Sequence, residues 1–476
     1  MTRSKTASMG LMLSLLTSCA GDEGDPLMIE EPAPRPGDAE EEAPEVPTVP
    51  EEPEEPEVPG EEPAPEEPSS SPTGGVGVAD VNLCVELKSA ACPGDADAHL
   101  TRHGGLRPWA PCRFELVDQD TWELQSIRVA ALGKDLPIVG IEGVLGDFDR
   151  LASAVDGGVS HLSEVAGLDR AFRWQDVDFH DGAWMPQGIS GSFDASEDGL
   201  VAGREVVAVS WYHKSSVSGL KDREEVARIS FVDVSALGEG GAAPYRHVLL
   251  VEPYLDGDRI DLRATKVHAG GIAWVGRYLY VADTAKGLRV YDTSQILEVS
   301  TAQDRIGYDA QTGEYHAYGY KYALPQVGAY LLSSESCWIR SSFVALDATS
   351  SPPSLITGEF HDHDVAGKLA RWPLAGERLL ASDPARGATA ASELFFAQES
   401  DVQGALSVGG EWWLSCSAQS GAAGRLYQTS AGAPSVSHGW VVGPEDLMYD
   451  RVGGRLWSQN EFAGKRFVFG VDLAGY

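Results

Sequence analysis

From residue 172 onward the chain repeats one short pattern, a tight turn followed by a strand, with no convincing helix between copies. We call this turn and the start of its strand a turn signal. In most copies, further short strands and turns follow before the next turn signal. Four antiparallel strands per repeat form the blade of a β-propeller. The sequence therefore predicts an all-β domain, a β-propeller over residues 166–476, in which five blades are favoured and six are allowed by the unequal spacing. The five turn signals are Pro186-Gln187-Gly188-Ile189, Ala269-Gly270-Gly271-Ile272, Pro325-Gln326-Val327-Gly328, Val402-Gln403-Gly404-Ala405 and Pro444-Glu445-Asp446-Leu447.

The last repeat contains only three strands, the third of them at 466–471. The stretch 171–179 lies just before the first turn signal and has the length and pattern of a strand. We expect it to supply the missing outer strand, because that pairing closes the ring and removes its free sheet edges.

A family resemblance supports this fold. The stretch 268–292, together with 209–212, 322–330 and 444–447, is similar to the repeats of a family of uncharacterised secreted bacterial β-propeller proteins. The resemblance extends over about residues 165–476. It implies the fold and no particular activity.

The amino terminus has the features of an export signal. Arg3 and Lys5 precede a short apolar run at 9–16, which is too short to span a bilayer because spanning requires about 20 apolar residues. The sequence Leu16-Thr17-Ser18-Cys19 resembles the lipobox of bacterial lipoproteins. That resemblance implies removal of residues 1–18 and lipidation of Cys19, with two or three acyl chains for stable anchoring. An unlipidated secretory signal is the alternative.

We therefore expect an exported protein that is anchored to a membrane through its lipid alone. Ala20 after the cysteine favours the outer membrane or the cell surface in a cell that has an outer membrane. Residues 22–72 hold 19 acidic residues, one basic residue and 14 prolines. This composition predicts that 19–72 is a lipidated, disordered and extended acidic stalk, with an acidic binding tail as the alternative.

Residues 73–165 form a cysteine-containing segment between the stalk and the propeller. Strand-like runs at 127–132 and 136–144 and a helix at 149–165 are predicted in this segment. The net charge of the whole chain is −36. A chain this acidic repels phosphate backbones, which argues against nucleic acid as a partner. We expect a monomer.

An odd number of cysteines follows Cys19. Their spacing does not match zinc sites, and export permits disulfides. We predict one bridge among the first three and a second between Cys337 and Cys416, which leaves one thiol free or paired between chains. The five are Cys84, Cys92, Cys112, Cys337 and Cys416.

In a propeller, the turns into the inner strands and the ends of the second strands share one face around the central channel. The predicted axial ring on that face comprises Gln187, His268, Gln326, Gln403 and Glu445. The ends of the second strands add Asp283, Glu359 and Glu461.

Three interpretations of these residues stay open. They satisfy buried backbone groups and trapped water, they bind a small ligand or a cation such as calcium, or they catalyse glycan hydrolysis. Hydrolysis needs a pair of carboxyl groups about 5–9.5 Å apart. Glu445 could form such a pair with Glu359 or with Glu461.

Two functional classes follow. The favoured class is a non-catalytic module that binds a small molecule, a glycan or a protein partner, requires no cofactor and has calcium as a candidate ligand. The alternative is a cell-surface glycan hydrolase or lyase. The tract His361-Asp362-His363-Asp364 has the composition of a metal site, but its position between two strands favours a polar turn.

Overall fold

Antiparallel sheets make up most of the structure, a computed structural model that describes residues 92, 99–159 and 161–476. The predicted signal peptide, Cys19 and the stalk lie outside these residues. The strands are β1 (Arg107–Trp109), β2 (Glu115–Asp118), β3 (Arg150–Ala154), β4 (Leu168–Arg173), β5 (Trp184–Gly191), β6 (Val206–His213), β7 (Ala227–Asp233), β8 (Ala243–Asp256), β9 (Arg259–Ala264), β10 (Ile272–Val275), β11 (Tyr278–Asp283), β12 (Gly287–Asp292), β13 (Leu297–Glu298), β14 (Ile306–Asp309), β15 (Glu314–Ala317), β16 (Tyr322–Leu332), β17 (Phe343–Asp347), β18 (Ser354–Gly358), β19 (Lys368–Ala375), β20 (Arg378–Leu379), β21 (Ala388–Ala390), β22 (Glu393–Phe396), β23 (Val402–Val408), β24 (Glu411–Cys416), β25 (Ala423–Ser430), β26 (Ala433–Val442), β27 (Pro444–Asp450), β28 (Arg455–Asn460) and β29 (Phe467–Asp472). The helices are α1 (Trp122–Leu132), α2 (Gly140–Leu145), α3 (Asp176–Phe179), α4 (Ser192–Ala195) and α5 (Ser215–Ser218), and single 3-10 turns lie at Lys221–Arg223, Leu237–Glu239, Thr293–Gln295, Gln419–Gly421 and Leu473–Gly475.

Most of these strands form antiparallel sheets in which neighbouring strands run up and down. Sheet A contains β5 to β8, sheet B contains β10, β11, β12 and β16, and sheet C contains β17, β18, β19 and β22. Sheet D contains β23 to β26, and sheet E contains β27, β28, β29 and β4. The first strand of each sheet is its inner strand. In this series β5 lies against β10, β10 against β17, β17 against β23, β23 against β27, and β27 against β5. The described part of the chain is mostly β and propeller-like, as predicted.

Closure between the two ends of the domain is confirmed. Strand β4 pairs antiparallel with β29, and Ala171 lies opposite Phe469. The strand occupies 168–173 rather than the predicted 171–179, because the chain turns at Gln175 into the single-turn helix α3. Sheet E therefore takes its outer strand from the amino-terminal side of the domain.

The sheets pack face to face, so their strands are apolar on both sides. All residues of β6 and β7 are buried. The inner strands approach one another so closely that only glycine fits at several positions, including Gly188 and Gly404. A Cβ on Gly188 would lie 2.7 Å from Cα of Gly271, and a Cβ on Gly404 would lie 2.6 Å from Cα of Asp446. The glycines of the first and fourth turn signals are thus explained by this close approach, whereas Gly328 of the third signal lies against the ring of Trp122.

The structure at 99–159 differs from the sequence prediction. Residues 127–132 belong to helix α1, residues 140–145 form α2, and β3 occupies part of the stretch that was predicted as a helix. Short apolar runs have similar lengths in helices and strands, so their periodicity does not separate the two. The segment also adds strands to the sheets, since β1 pairs with β22, β2 with β16 and β21, and β3 with β4 and β8.

The predicted bridge between Cys337 and Cys416 is wrong. Cys337 is bonded to Cys92, with their Cα atoms 5.4 Å apart, and Cys416 is a free, buried thiol. Cys337 lies before β17, beside the amino-terminal segment, whereas Cys416 ends β24 and packs in a different apolar cluster. Cys112 is also disulfide-bonded. Cys84 lies outside the described residues.

Candidate functional site

Three inner strands carry a β-bulge where they begin. The irregular pairing includes Gln187 in β5, Gln403 in β23, and Glu445 with Asp446 in β27. A bulge changes the direction of a side chain, and bulges are common next to functional sites. The turn signal that repeats in the sequence therefore corresponds to a bulge at one end of the inner strands.

Asp446 joins three sheets near the axis. Its Oδ2 accepts hydrogen bonds from the backbone amides of Ile189 in β5 and Ile272 in β10, each at 3.3 Å. Its Oδ1 has no hydrogen-bond partner among the described residues. Burial raises the pKa of this carboxyl well above its usual range, which favours the neutral acid. A buried carboxyl group therefore lies where the inner strands of sheets A, B and E meet.

Two of the predicted site residues, Gln187 and Glu461, are in direct contact. Gln187 Nε2 donates a hydrogen bond to Glu461 Oε2 at 3.2 Å. Gln187 is buried, and Glu461, which follows β28, is partly exposed. Burial raises the pKa of Glu461, although the charges of Lys214 and Arg466 oppose this shift. The result is an amide next to a carboxyl group that ionises less readily than usual.

His268 belongs to the same group of side chains. Its ring centroid lies 4.1 Å from that of Tyr212, and Lys214 Nζ lies 5.5 Å from the Tyr212 centroid. Burial and the charge of Lys214 lower the pKa of His268 to about 4, so the imidazole is neutral at pH 7. Lys214 acts electrostatically on both Glu461 and His268. We call these five residues, Gln187, Tyr212, Lys214, His268 and Glu461, the face cluster.

Three other predicted residues lie at the same end of the sheets. Gln403 Nε2 donates to Ser417 Oγ at 3.3 Å, and Glu445 is buried within its bulge. Glu359 accepts hydrogen bonds at 2.9 Å from the backbone amides of Arg340 and Lys368, and Lys368 Nζ lies 3.2 Å away. Glu359 is thus held by its neighbours as a buried anion.

The predicted place of Gln326 on the axis is wrong. Its turn signal belongs to β16, the outer strand of sheet B, and the inner strand of sheet C is β17. Strand β16 is mostly buried and pairs with several strands, so its sequence is as apolar as that of an inner strand. Gln326 accepts from Arg289 at 2.9 Å, and Arg289 also donates to Asp283 at 2.8 Å. Asp283 and Gln326 therefore meet in a side cleft of about 310 Å³.

The His361–Asp364 tract forms a loop between β18 and β19, as predicted. Asp362 and His363 come near Asp401, with candidate ligand atoms of all three within 4.8 Å. Gln419 Nε2 already donates to Asp362 at 3.0 Å, and the amide of His363 donates to Asp401 at 3.2 Å. The acidic groups of this loop are thus engaged in hydrogen bonds within the protein.

A second polar centre was not predicted from the sequence. Asp178 is 2 % exposed and accepts hydrogen bonds from Arg150 (2.9 Å), Arg228 (3.1 Å), Tyr245 (2.6 Å) and His247 (3.1 Å). The only sequence signal is the presence of Arg228 and His247 inside the mostly buried strands β7 and β8. Buried charges in strands are rare unless they are paired.

Comparisons with known proteins do not indicate an activity for the chain. No protein-family model and no curated protein matches the chain. Three solved structures are distantly similar: hydrazine synthase of Kuenenia stuttgartiensis (11% identity, 57% of this chain and 73% of that chain, TM-score 0.26), a GH43_1 enzyme from Xanthomonas citri (10%, 61% and 87%, 0.30) and a gluconolactonase from Xanthomonas campestris (10%, 68% and 85%, 0.26). These TM-scores are too low to carry an argument about activity. Within the described residues, no helix has the length and apolar character needed to cross a bilayer.

Proposed function

We propose that the chain is an exported, lipid-anchored binding protein whose domain holds a small polar ligand at the face cluster. In this proposal Cys19 carries the lipid, and the acidic stalk holds the domain away from the membrane. The observation that carries the binding site is the contact of Gln187 with Glu461 beside Lys214, at the end of the sheets where the inner strands begin with bulges.

We also propose that sheets A to E are the five blades of a propeller. The proposal rests on the order in which the inner strands lie against one another, from β5 through β10, β17 and β23 to β27 and back to β5. The pairing of β4 with β29 supports the same arrangement, because it completes sheet E with a strand from the other end of the domain.

The chemistry of the face cluster suits a ligand rich in hydroxyl groups. It offers an amide, a carboxyl group, an ammonium group and a neutral imidazole, which together donate and accept hydrogen bonds. The buried ring of Tyr212 packs against His268 and holds the imidazole in place. A neutral glycan fits these groups better than a strongly anionic ligand, because the domain is acidic. Calcium is a second candidate ligand, through carboxylate and amide oxygens.

The hydrolase alternative gains no support from Glu359. Although burial opposes ionisation, His361, Lys368 and the Arg340 amide lower the pKa of Glu359, so this residue is unsuited to donate a proton. We therefore propose binding rather than catalysis.

Thermal melts of the full chain test the proposal. Wild type, Glu461→Gln and Glu411→Gln are heated with and without calcium and a panel of neutral oligosaccharides. Glu411 lies at the opposite end of its sheet, after the Gly409-Gly410 turn, and serves as the matched control. A bound ligand raises the melting temperature of wild type and of Glu411→Gln, but not of Glu461→Gln. A shift retained in Glu461→Gln, or no shift with any ligand in wild type, contradicts the proposal.

A further inference from the structure

A cavity of about 340 Å³ lies around Asp178, between helix α3, strands β7 and β8, and the loop before β16. It has an excess of cationic side chains, which is unusual in a chain with a net charge of −36. Its acidic lining residues are Asp149, Asp178 and Asp181. Its cationic lining residues are Arg150, Arg223, Arg228, Arg246 and Lys321.

The charge of the buried floor of the cavity is partly neutralised. Burial opposes ionisation of Asp178, but donation from His247 and the charges of Arg228 and Arg150 lower its pKa below the usual range. Burial lowers the pKa of His247 to about 3, so the imidazole is neutral. One carboxylate thus offsets part of the charge of two arginines, and the remaining cations of the lining determine its net charge.

The floor also contains a serine, a histidine and an aspartate that contact one another in the same order as in a Ser–His–Asp triad. Ser230 Oγ lies 2.8 Å from His247 Nδ1, and His247 Nε2 lies 3.1 Å from Asp178. However, Ser230 is fully buried, and Trp211 Nε1 donates to its Oγ at 2.7 Å. An acyl substrate cannot reach this hydroxyl. The contacts of His247 with Ser230 and Asp178 fix the orientation of its ring instead.

Two cations at the rim are accessible to a ligand. The side chains of Arg246 and Lys321 are 12% and 31% exposed. Their partners are the carboxylates of Asp147, Asp149 and Glu298, which are 41%, 49% and 39% exposed. Ion pairs this exposed contribute little to stability, so both cations can also engage an incoming anion.

Aromatic rings complete the lining. Cζ of Arg228 lies 4.2 Å from the centroid of Trp184, and Cζ of Arg223 lies 4.2 Å from the centroid of Tyr318. Tyr320 receives a hydrogen bond from Arg228 at 2.9 Å and holds the loop before β16 against the floor. Flat rings beside guanidinium groups suit a ligand that has both a ring and an anionic group.

We propose that this cavity binds a small carboxylate-bearing ring molecule, of the size and chemistry of a uronic acid, at a site separate from the face cluster. The volume suits one sugar unit, because small-ligand pockets start at about 300 Å³. Arg246 and Lys321 bind the carboxylate, and Trp184 with Tyr318 contacts the ring. The buried network of Asp178 keeps Arg228 and Trp184 in place.

Calorimetric titration of the full chain with glucuronate and with glucose tests this inference. The test variant is Arg246→Met with Lys321→Met. The matched control is Arg263→Met with Lys266→Met, which removes the same charge from two exposed positions outside the cavity. Melting temperatures without ligand show whether each variant is folded.

We expect wild type and the control to bind glucuronate and to discriminate against glucose. The test variant binds glucuronate at least about tenfold more weakly. Glu461→Gln leaves this binding unchanged, which distinguishes the cavity from the face cluster. The inference is overturned if wild type does not bind glucuronate, if glucose binds as well as glucuronate to Glu461→Gln, in which the face cluster is altered, or if the test variant retains wild-type affinity.

Discussion

Arg228 and Asp178 form an ion pair in which the two side chains are only 3% and 2% exposed. Such a pair gains little over an apolar pair, but breaking it is costly because a charge remains buried without its partner. Arg150 and His247 still contact Asp178 when Arg228 is removed. The loss of stability on removal of Arg228 is therefore expected to be smaller than for an isolated buried ion pair.

Arg228→Met is expected to lower the free energy of unfolding by about 3 kcal/mol. The control is Arg305→Met, because Arg305 is 44% exposed and pairs with Asp309 on the surface. This control should change the stability by less than about 1 kcal/mol. Urea unfolding followed by tryptophan fluorescence measures both values. Equal effects of the two substitutions contradict the assignment of Arg228 to a buried network.

Asp194 makes stability dependent on pH. Burial raises its pKa to about 7, although the hydroxyl of Ser190 donates to it at 2.6 Å and opposes the shift. The unfolded chain releases this proton near pH 4, whereas the folded chain retains it up to about pH 7. The contribution of Asp194 to stability is therefore full below pH 4 and declines as the pH rises to 7, by at most about 1.4 kcal/mol per pH unit.

Asp194→Asn is expected to flatten this part of the stability profile. Asp256→Asn, at an exposed position, is the control and keeps the wild-type slope. Urea midpoints measured at several values between pH 4 and 8 provide the test. A wild-type slope in Asp194→Asn shows that another group is responsible.

The cysteines differ in reactivity. Cys337 is bonded to Cys92 across 245 residues of sequence, and Cys416 is a buried thiol. Cys337→Ser is expected to lower stability by several kcal/mol, because closing a loop of this length removes much entropy from the unfolded chain, about 5–6 kcal/mol in the chain-entropy model. Cys416→Ser changes stability less, and Cys416 reacts with thiol reagents only after unfolding. Peptide mapping without reduction checks the pairing, and a linked Cys337–Cys416 peptide contradicts it.

The lipid anchor has its own test. Cys19→Ser removes the acceptor of the lipid, so the protein is expected to move from the detergent phase to the aqueous phase. Mass measurement of the mature amino terminus identifies the acyl groups in wild type. An unlipidated wild-type protein that begins at another cleavage site contradicts the proposed anchor.

The strand pattern of the sheets was predictable because alternating apolar runs and Gly-containing turns are local features. The closing strand could be expected near Ala171 for the same reason, but not its exact end at Arg173. Gln326 was misplaced because a buried outer strand has the same composition as an inner strand. Local pattern alone does not indicate a strand's position in its sheet.

The polar centres were less predictable. Gln187 and Glu461 were predicted to share one face, and their contact joins residues 274 positions apart. The cavity around Asp178 was missed, because it combines side chains from five separate parts of the chain, including Arg228 and Lys321. No local spacing connects these residues, and only the three-dimensional structure brings them together.

The central claim is that the face cluster binds a ligand, and the location of binding tests it most directly. Hydrogen–deuterium exchange of the full chain is measured with and without the calcium or oligosaccharide that gives the largest thermal shift. We expect slower exchange in the peptides that contain Gln187, Lys214, His268 and Glu461, and unchanged exchange at Glu411. Protection confined to other peptides, or no protection with any of these ligands, contradicts the claim.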